Sequence, residues 1–267
     1  MGIAALIHPL ISLHRGWYPP LHWGWYPPLH WGWYPPLHRG WYNRAARKFT
    51  IMLGLDAPTL IARLFVLLTA FAVHEFAHAW TANRFGDDTP RLYGRLTLNP
   101  LAHLDVMGSL MLIFVGFGWA KPVPVNAYYL ERRSPAALMW VSLAGPLSNL
   151  LMAVLAAIPF QLGLLSVYDA FGTNNGLLPT LPYLLFEFVS INLILMLFNL
   201  IPLYPLDGEK IAQYFFPTSW VNFLDRIRPY STLIFIVVFF GLPYIGIDVF
   251  GWILSPAMNV LYDLLLL

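Results

Sequence analysis

Long apolar stretches near residues 58–82, 136–163, 183–203 and 231–267 constrain the fold of this sequence more than any other feature. A helix that crosses a bilayer needs about 20 predominantly apolar residues, and each stretch is long enough. Across the 267 residues only 10% are charged, whereas soluble domains carry roughly 25%. We therefore expect an all-α, polytopic membrane protein with a bundle of about five to six transmembrane helices.

Charge and cysteine content exclude other classes of site. The formal net charge is +2, which is too small to indicate nucleic-acid binding. The chain contains no cysteine, so disulfides and thiolate ligands are both excluded. Any transition-metal site must therefore use His, Asp or Glu.

Residues 15–42 form an internal repeat, RGWYPPLH followed by two WGWYPPLH units and a final RGWY. Its Pro-Pro pairs exclude a regular helix. Its Trp and Tyr residues favour the membrane interface, and its histidines could bind metal as a low-complexity tract. The near-identity of the units favours a simpler alternative, a poorly ordered and dispensable extension. We divide the chain into an N-terminal extension (1–56), a core (57–229) and C-terminal transmembrane helices (230–267).

His74, Glu75 and His78 lie in the first apolar stretch, in the motif HEFAH. Residues four apart share a helix face, so the two imidazoles can bind one tetrahedral Zn²⁺. Glu75 can then act as general base toward a metal-bound water. A charged residue at membrane depth costs about 2.5–3.5 kcal/mol, so such a cluster needs an internal reason. The alternative is a polar cluster that faces the bundle interior.

Two histidines make an incomplete zinc site, and two carboxylates could complete it. Asp207 follows Pro202 and Pro205, which interrupt any helix there. Irregular backbone at membrane depth is tolerated where it is buried in protein or lines a cavity. Asp207 is therefore well suited as the third ligand. Glu187, early in the stretch 183–203, is expected to be an interhelical hydrogen-bonding group.

Five segments of this sequence, in order, resemble the site-2 proteases, which are intramembrane zinc metalloproteases. They are HEFAH, GRLTLNPLAHLD, WAKPVPVN, SLAGPLSN and LFNLIPLYPLDG, and they are most similar to the small type without a PDZ domain. The resemblance covers roughly residues 57–229. It implies one Zn²⁺ per chain held by His74, His78 and Asp207, a catalytic Glu75, and hydrolysis of peptide bonds in membrane-spanning substrates.

The resemblance also implies roles for four further polar residues. Asn199, eight residues before Asp207, matches an asparagine thought to contact the substrate backbone or the oxyanion. Asn149 matches a polar position on the neighbouring core helix. Asn99 and His103 match the loop after the HExxH motif, and we expect His103 to support the site rather than to react. Asn149 and Asn199 could instead simply join helices through hydrogen bonds.

The motif positions also predict the topology. HEFAH lies about 17–21 residues into its helix, and Asp207 lies at the exit end of its own stretch. These two helices must therefore run parallel, with an odd number of crossings between them.

The 13-residue segment 106–118 is shorter than a span, so we expect it to be re-entrant. The flanking GRLTLN and KPVPVN could pair as a small membrane-associated β-hairpin, as in the resembled family, and could clamp an extended substrate.

Orientation follows from the distribution of Lys and Arg. The face that carries residues 84–135 and 207–229 holds nine of these residues against five on the opposite face. This favours an active site toward the cytoplasmic side of a prokaryotic cell membrane, although the basic run just before the first stretch argues the other way.

The expected partners are a transmembrane protein substrate and the lipid bilayer, without nucleic acid. A metal transporter or a catalytically inactive membrane scaffold is the alternative. A transporter does not require Glu75 beside a histidine pair, and a scaffold does not require the complete His-Glu-His-Asp set. The sequence leaves the identity of the substrate and the oligomeric state open.

Overall fold

A computed structural model describes residues 56–109, 118–172, 176–242 and 245–266. The repeat lies outside the described residues, as does most of the segment expected to be re-entrant. In chain order the helices are α1 (Ala57–Arg84), α2 (Thr89–Leu92), α3 (Pro100–His103), α4 (Ala127–Arg133), α5 (Ala137–Gln161), α6 (Val167–Ala170), α7 (Leu181–Asn199), α8 (Asp207–Phe215), α9 (Thr218–Ile227), α10 (Ser231–Ile236) and α11 (Val249–Leu266).

Within the described part of the chain three helices, α1, α5 and α7, are long and apolar enough to cross a membrane. Helix α1 begins where the Asp56 carboxylate accepts a hydrogen bond from the Thr59 backbone N–H, an N-cap arrangement. Small residues such as Ala62 and Ala70 are fully buried on its inner face. Small side chains allow helix backbones to approach closely in the absence of a hydrophobic driving force between helices.

Helices α1 and α7 run parallel. Thr59 Oγ1 lies 2.9 Å from the Tyr183 hydroxyl. One turn further along both helices, Arg63 Nε donates to Glu187 Oε2 at 3.1 Å. The constant offset between the paired residues requires both helices to run in the same direction. The predicted parallel arrangement is therefore confirmed.

Helix α5 runs antiparallel to α1 and returns the chain between the two parallel helices. Its early residue Val141 contacts the late α1 residue His78, and its later residue Asn149 contacts His74. Among the described helices, α5 is the one candidate span between α1 and α7. One crossing is an odd number, so α1 and α7 end on the same side.

The expected β-hairpin is not formed by the residues assigned to it. In the described part of the chain, neither 94–99 nor 121–126 is a strand, and strand pairing is limited to one antiparallel bridge between Leu104 and Ala120. Pro122 and Pro124 give the physical reason, because neither has an N–H to donate to a neighbouring strand.

The bridge between Leu104 and Ala120 nevertheless brings together the two ends of segment 106–118, the insert that was expected to be re-entrant. Beside it, the Lys121 N–H donates to the His103 carbonyl oxygen at 2.7 Å. Both flanks of the insert therefore lie on the same side, as a re-entrant path requires. Residues 110–117, which would form the path itself, lie outside the described residues.

The predicted number of five to six spans is not confirmed. After α9 the described chain continues through the short α10, a π-helical turn at Val237–Gly241 and the apolar helix α11. Helix α11 packs on the common core of α1, α5 and α7 through Leu254, Met258 and Tyr262.

Candidate metal centre

His74, His78 and Asp207 bring three potential ligand atoms together. His74 Nε2 lies 3.0 Å from His78 Nε2. Asp207 Oδ2 lies 3.1 Å from the former and 3.3 Å from the latter. Ligands held about 2.0–2.1 Å from a tetrahedral zinc are separated by about 3.3 Å. The three atoms therefore fit a single ion of that geometry.

Local structure places each of these side chains. His74 and His78 lie one turn apart on α1, with ring planes at 86° and centroids 4.6 Å apart. Asp207 is the first residue of α8. A Cβ on the next residue, Gly208, would collide with the carbonyl oxygens of Leu200 and Ile201. The absence of a side chain at Gly208 thus lets α8 begin against the end of α7, which brings Asp207 to the histidines.

The second nitrogen of each imidazole contacts an oxygen. His74 Nδ1 lies 2.6 Å from Asn149 Oδ1, and His78 Nδ1 lies 2.7 Å from the Val141 carbonyl oxygen. Because these oxygens only accept hydrogen bonds, each Nδ1 carries a hydrogen. When a ring is neutral, its Nε2 therefore has the lone pair that metal-binding histidines require.

Asp207 lies beyond the end of α7, outside the spanning segments. Burial alone would raise the pKa of its carboxyl. The charge of His78 and the hydrogen bonds from His74 and His78 outweigh burial and hold this pKa well below its usual range. Asp207 is therefore ionised, which is the form in which a carboxyl binds metal.

Glu75 follows the first histidine of the cluster and is largely buried. Its Oε2 accepts a hydrogen bond from the Val123 backbone N–H at 3.0 Å. Further along the same segment, the Asn126 N–H donates to the buried Asp87 carboxylate at 2.7 Å. The proline-rich segment that was expected to form a strand therefore runs past Glu75 and anchors its carboxylate.

The other predicted site residues lie outside the ligand cluster. Asn199 donates its Nδ2 to the Leu195 carbonyl oxygen within α7. Asn99 is exposed and caps the short helix α3. His103 is buried and its Nε2 lies 2.8 Å from the Thr97 carbonyl oxygen.

Glu187 is fully buried and pairs with Arg63 of α1. This is the interhelical role that the sequence predicts for it.

Asn192 is a buried residue near the site that the sequence analysis missed. Its Oδ1 accepts a hydrogen bond from Asn149 Nδ2 at 2.9 Å. The available signal was an amide side chain in the middle of the apolar stretch SINLILMLF. A polar side chain at that depth needs a partner inside the bundle, but the sequence does not say which one.

Comparison of the sequence with known proteins shows the family of this chain. "Putative zinc metalloprotease YwhC" of Bacillus subtilis is 39% identical over 178 residues, covering 65% of this chain and 77% of the relative. The chain belongs to the site-2 protease family. "Putative zinc metalloprotease Rip2" of Mycobacterium tuberculosis is 30% identical over 216 residues, covering 78% of this chain and 77% of the relative.

A third relative, "Putative zinc metalloprotease Rip2" of Mycolicibacterium smegmatis, is 44% identical over 92 residues, or 33% of this chain and 35% of the relative. No family model and no solved structure matches the chain. Membership of the site-2 protease family confirms the resemblance found in the five sequence segments. The names of these relatives support a protease role and zinc as the metal.

Proposed function

We propose that this protein is an intramembrane zinc metalloprotease that hydrolyses peptide bonds of membrane-spanning protein substrates. The observation that carries the proposal is the arrangement of His74, His78 and Asp207, whose ligand atoms lie 3.0–3.3 Å apart, with Glu75 beside them. His74, Glu75 and His78 lie on a helix long and apolar enough to span a bilayer, so we infer that the cleaved peptide bond belongs to a membrane protein.

The three ligand residues would hold one zinc ion per chain. Bound zinc would lower the pKa of a coordinated water and polarise the scissile carbonyl. Glu75 is the general base, which takes a proton from the attacking water and delivers it to the leaving amine. The hydrogen bond from the Val123 N–H orients the Glu75 carboxylate for that task.

Asn199 is the proposed donor to the developing oxyanion. Its amide nitrogen carries two hydrogens, and the hydrogen bond to the Leu195 carbonyl oxygen uses one of them. The second hydrogen can serve the substrate while the first holds the side chain in place. Asn149 supports His74, and Asn99 and His103 support the loop after α1.

The substrate must reach the site as an extended chain, because the hydrogen bonds of a helix shield its peptide groups. Pro202 and Pro205 keep the backbone before Asp207 irregular, and Gly208 lets α8 begin directly after it; the substrate is proposed to unwind beside this segment. We place the protein in a prokaryotic cell membrane as a multi-pass protein, with the active site toward the cytoplasmic side, on the basis of its Lys and Arg distribution.

The experiment that tests this function compares wild type with Glu75→Gln. Both proteins are purified in detergent, their zinc content is measured, and each is assayed on a model transmembrane substrate. We expect about one zinc per chain in both proteins but cleavage only by wild type, because Glu75 is the base and not a ligand. Glu131→Gln, which alters an exposed carboxylate on α4, is the matched control and should cleave normally.

Full activity in Glu75→Gln would refute the proposed mechanism. Zinc binding without cleavage by wild type, together with zinc flux into liposomes, would favour the transporter. If wild type cleaves the model substrate and Glu75→Gln does not, membrane proteomics of wild-type and Glu75→Gln cells would identify the natural substrates as single-span proteins that accumulate uncut in the variant.

A further inference from the structure

A chain of hydrogen bonds leads from a metal-site histidine to the backbone of α7. His74 Nδ1 lies 2.6 Å from Asn149 Oδ1. Asn149 Nδ2 donates to Asn192 Oδ1 at 2.9 Å, and Asn192 Nδ2 donates to the Phe188 carbonyl oxygen at 2.9 Å. Asn149 and Asn192 are both 0% exposed, so bulk water does not compete for these groups.

These hydrogen bonds can run in one direction only, which is set by the last acceptor, the Phe188 carbonyl oxygen. The Phe188 carbonyl can only accept, so the Asn192 amide nitrogen must face it and the Asn192 oxygen must face Asn149. That oxygen in turn requires the nitrogen of Asn149, which leaves the Asn149 oxygen facing His74. His74 must therefore carry its hydrogen on Nδ1. In the neutral ring, Nε2 then keeps a lone pair directed at His78 and Asp207.

Loss of Asn192 would remove this constraint. The Asn149 amide could then rotate and present its nitrogen to His74 Nδ1. In that state His74 would accept at Nδ1 and carry its hydrogen on Nε2, the atom that must bind metal. Asn192 thus acts on a ligand that it does not touch.

We infer that Asn192 is a positioning residue for the zinc site, which fixes the tautomer of His74 through Asn149. The inference rests on the proposed zinc site but not on proteolysis. Partners beyond the ligands typically change metal affinity about 10–100-fold when they are removed. An ordinary interhelical hydrogen bond, by contrast, would alter the stability of the fold and leave zinc affinity unchanged.

Two substitutions separate these roles. Asn192→Leu keeps the approximate volume and removes both hydrogen bonds. Asn192→Ser keeps the direction of the hydrogen bonds. A serine hydroxyl on a helix can donate to the carbonyl four residues earlier, here that of Phe188, and can still accept from Asn149. Ser190 of the same helix makes such a bond to Phe186 at 2.8 Å. The matched control is Ser190→Ala, which removes a buried hydrogen bond that has no link to His74.

The test measures zinc affinity of the purified full chain by competition with a chelator, together with the melting temperature of zinc-free protein and kcat and KM at saturating zinc. We expect Asn192→Leu to weaken zinc binding about 10–100-fold, with Asn192→Ser between Asn192→Leu and wild type. KM should be unchanged in both variants.

Equal zinc affinity in Asn192→Leu and Ser190→Ala would overturn the inference, even if the melting temperature fell. Equal losses of affinity in the leucine and serine variants would overturn it too, because polarity would then not matter. If Asn192→Leu does not fold, the serine variant decides alone: a loss of zinc affinity larger than that of Ser190→Ala supports the inference, and an affinity equal to that of Ser190→Ala refutes it. Wild type that binds zinc without cleaving would refute the proposed function and leave this inference standing.

Discussion

Gly145 of α5 lies directly against the His78 imidazole. A Cβ added at Gly145 would lie 2.5 Å from both Cε1 and Nε2 of His78, and 2.6 Å from Cε1 of His74. Real Cβ atoms essentially never approach neighbours so closely. The glycine of the GPLSN segment therefore lets α5 pack against the two histidines, and its role is steric.

Gly145→Ala should displace the two imidazoles and weaken zinc binding about 10-fold or more, since misplacing ligands has effects at least as large as losing their partners. Cleavage should fall in parallel and recover only in part at high zinc. Zinc content after dialysis is the measurement. Gly172→Ala is the control, because a Cβ there would meet its nearest neighbour at an ordinary 3.4 Å. Unchanged zinc content in Gly145→Ala would show that the helices separate without disturbing the site.

Asp207→Ala should lose both zinc and activity, because it removes one of three ligands. Chelation of wild type should likewise abolish cleavage, and added zinc should restore it. Asp225→Ala, which alters an exposed carboxylate on α9, should behave like wild type in both assays. Full zinc content in Asp207→Ala would mean that another group completes the site. Glu187 would be a poor substitute, since it pairs with Arg63.

The main features of the site could be predicted from the sequence because they follow from local rules. The spacing of His74 and His78 puts them on one face of any helix. Pro202 and Pro205 mark the broken backbone before Asp207. The need for these three residues to meet then fixes the parallel direction of α1 and α7, which the contacts confirm.

The features that could not be predicted depend on which atoms meet across helices. The resemblance suggested that 121–126 could pair with 94–99, but Pro122 and Pro124 lack N–H donors, and the Val123 N–H bonds to Glu75 instead. Asn192 was visible as a polar residue in an apolar stretch, yet only the packing of α5 on α7 shows that Asn149 is its partner.

Deletion of residues 15–42 should leave zinc content and cleavage in detergent close to wild type. The three ligand residues and the described hydrogen-bond partners of the two histidines lie between His74 and Asp207, so the ligand set is complete without the repeat. Replacement by a Gly-Ser linker of equal length is the matched control for chain length. A defect confined to liposomes would point to interfacial anchoring by the repeat's aromatic residues. Loss of zinc or of detergent activity would show that the repeat belongs to the catalytic fold.

The Arg63–Glu187 ion pair predicts a stability effect that is separable from the metal site. Its atoms lie 3.1 Å apart with the Glu187 side chain fully buried, and the Tyr183 hydroxyl also donates to Glu187 at 2.9 Å. Glu187→Met would leave the Arg63 charge buried and unpaired, which costs about 3–5 kcal/mol of unfolding free energy. Zinc affinity of the folded fraction should not change.

The double variant Arg63→Met, Glu187→Met completes the cycle. Replacing both charges with apolar side chains of similar volume is often neutral or stabilising, so the double variant should recover most of the stability lost in Glu187→Met. The Tyr183 hydroxyl keeps Thr59 as a partner in every variant, which limits side effects of the substitutions. Denaturant unfolding in one detergent measures all four proteins. A double variant no more stable than Glu187→Met would contradict this prediction.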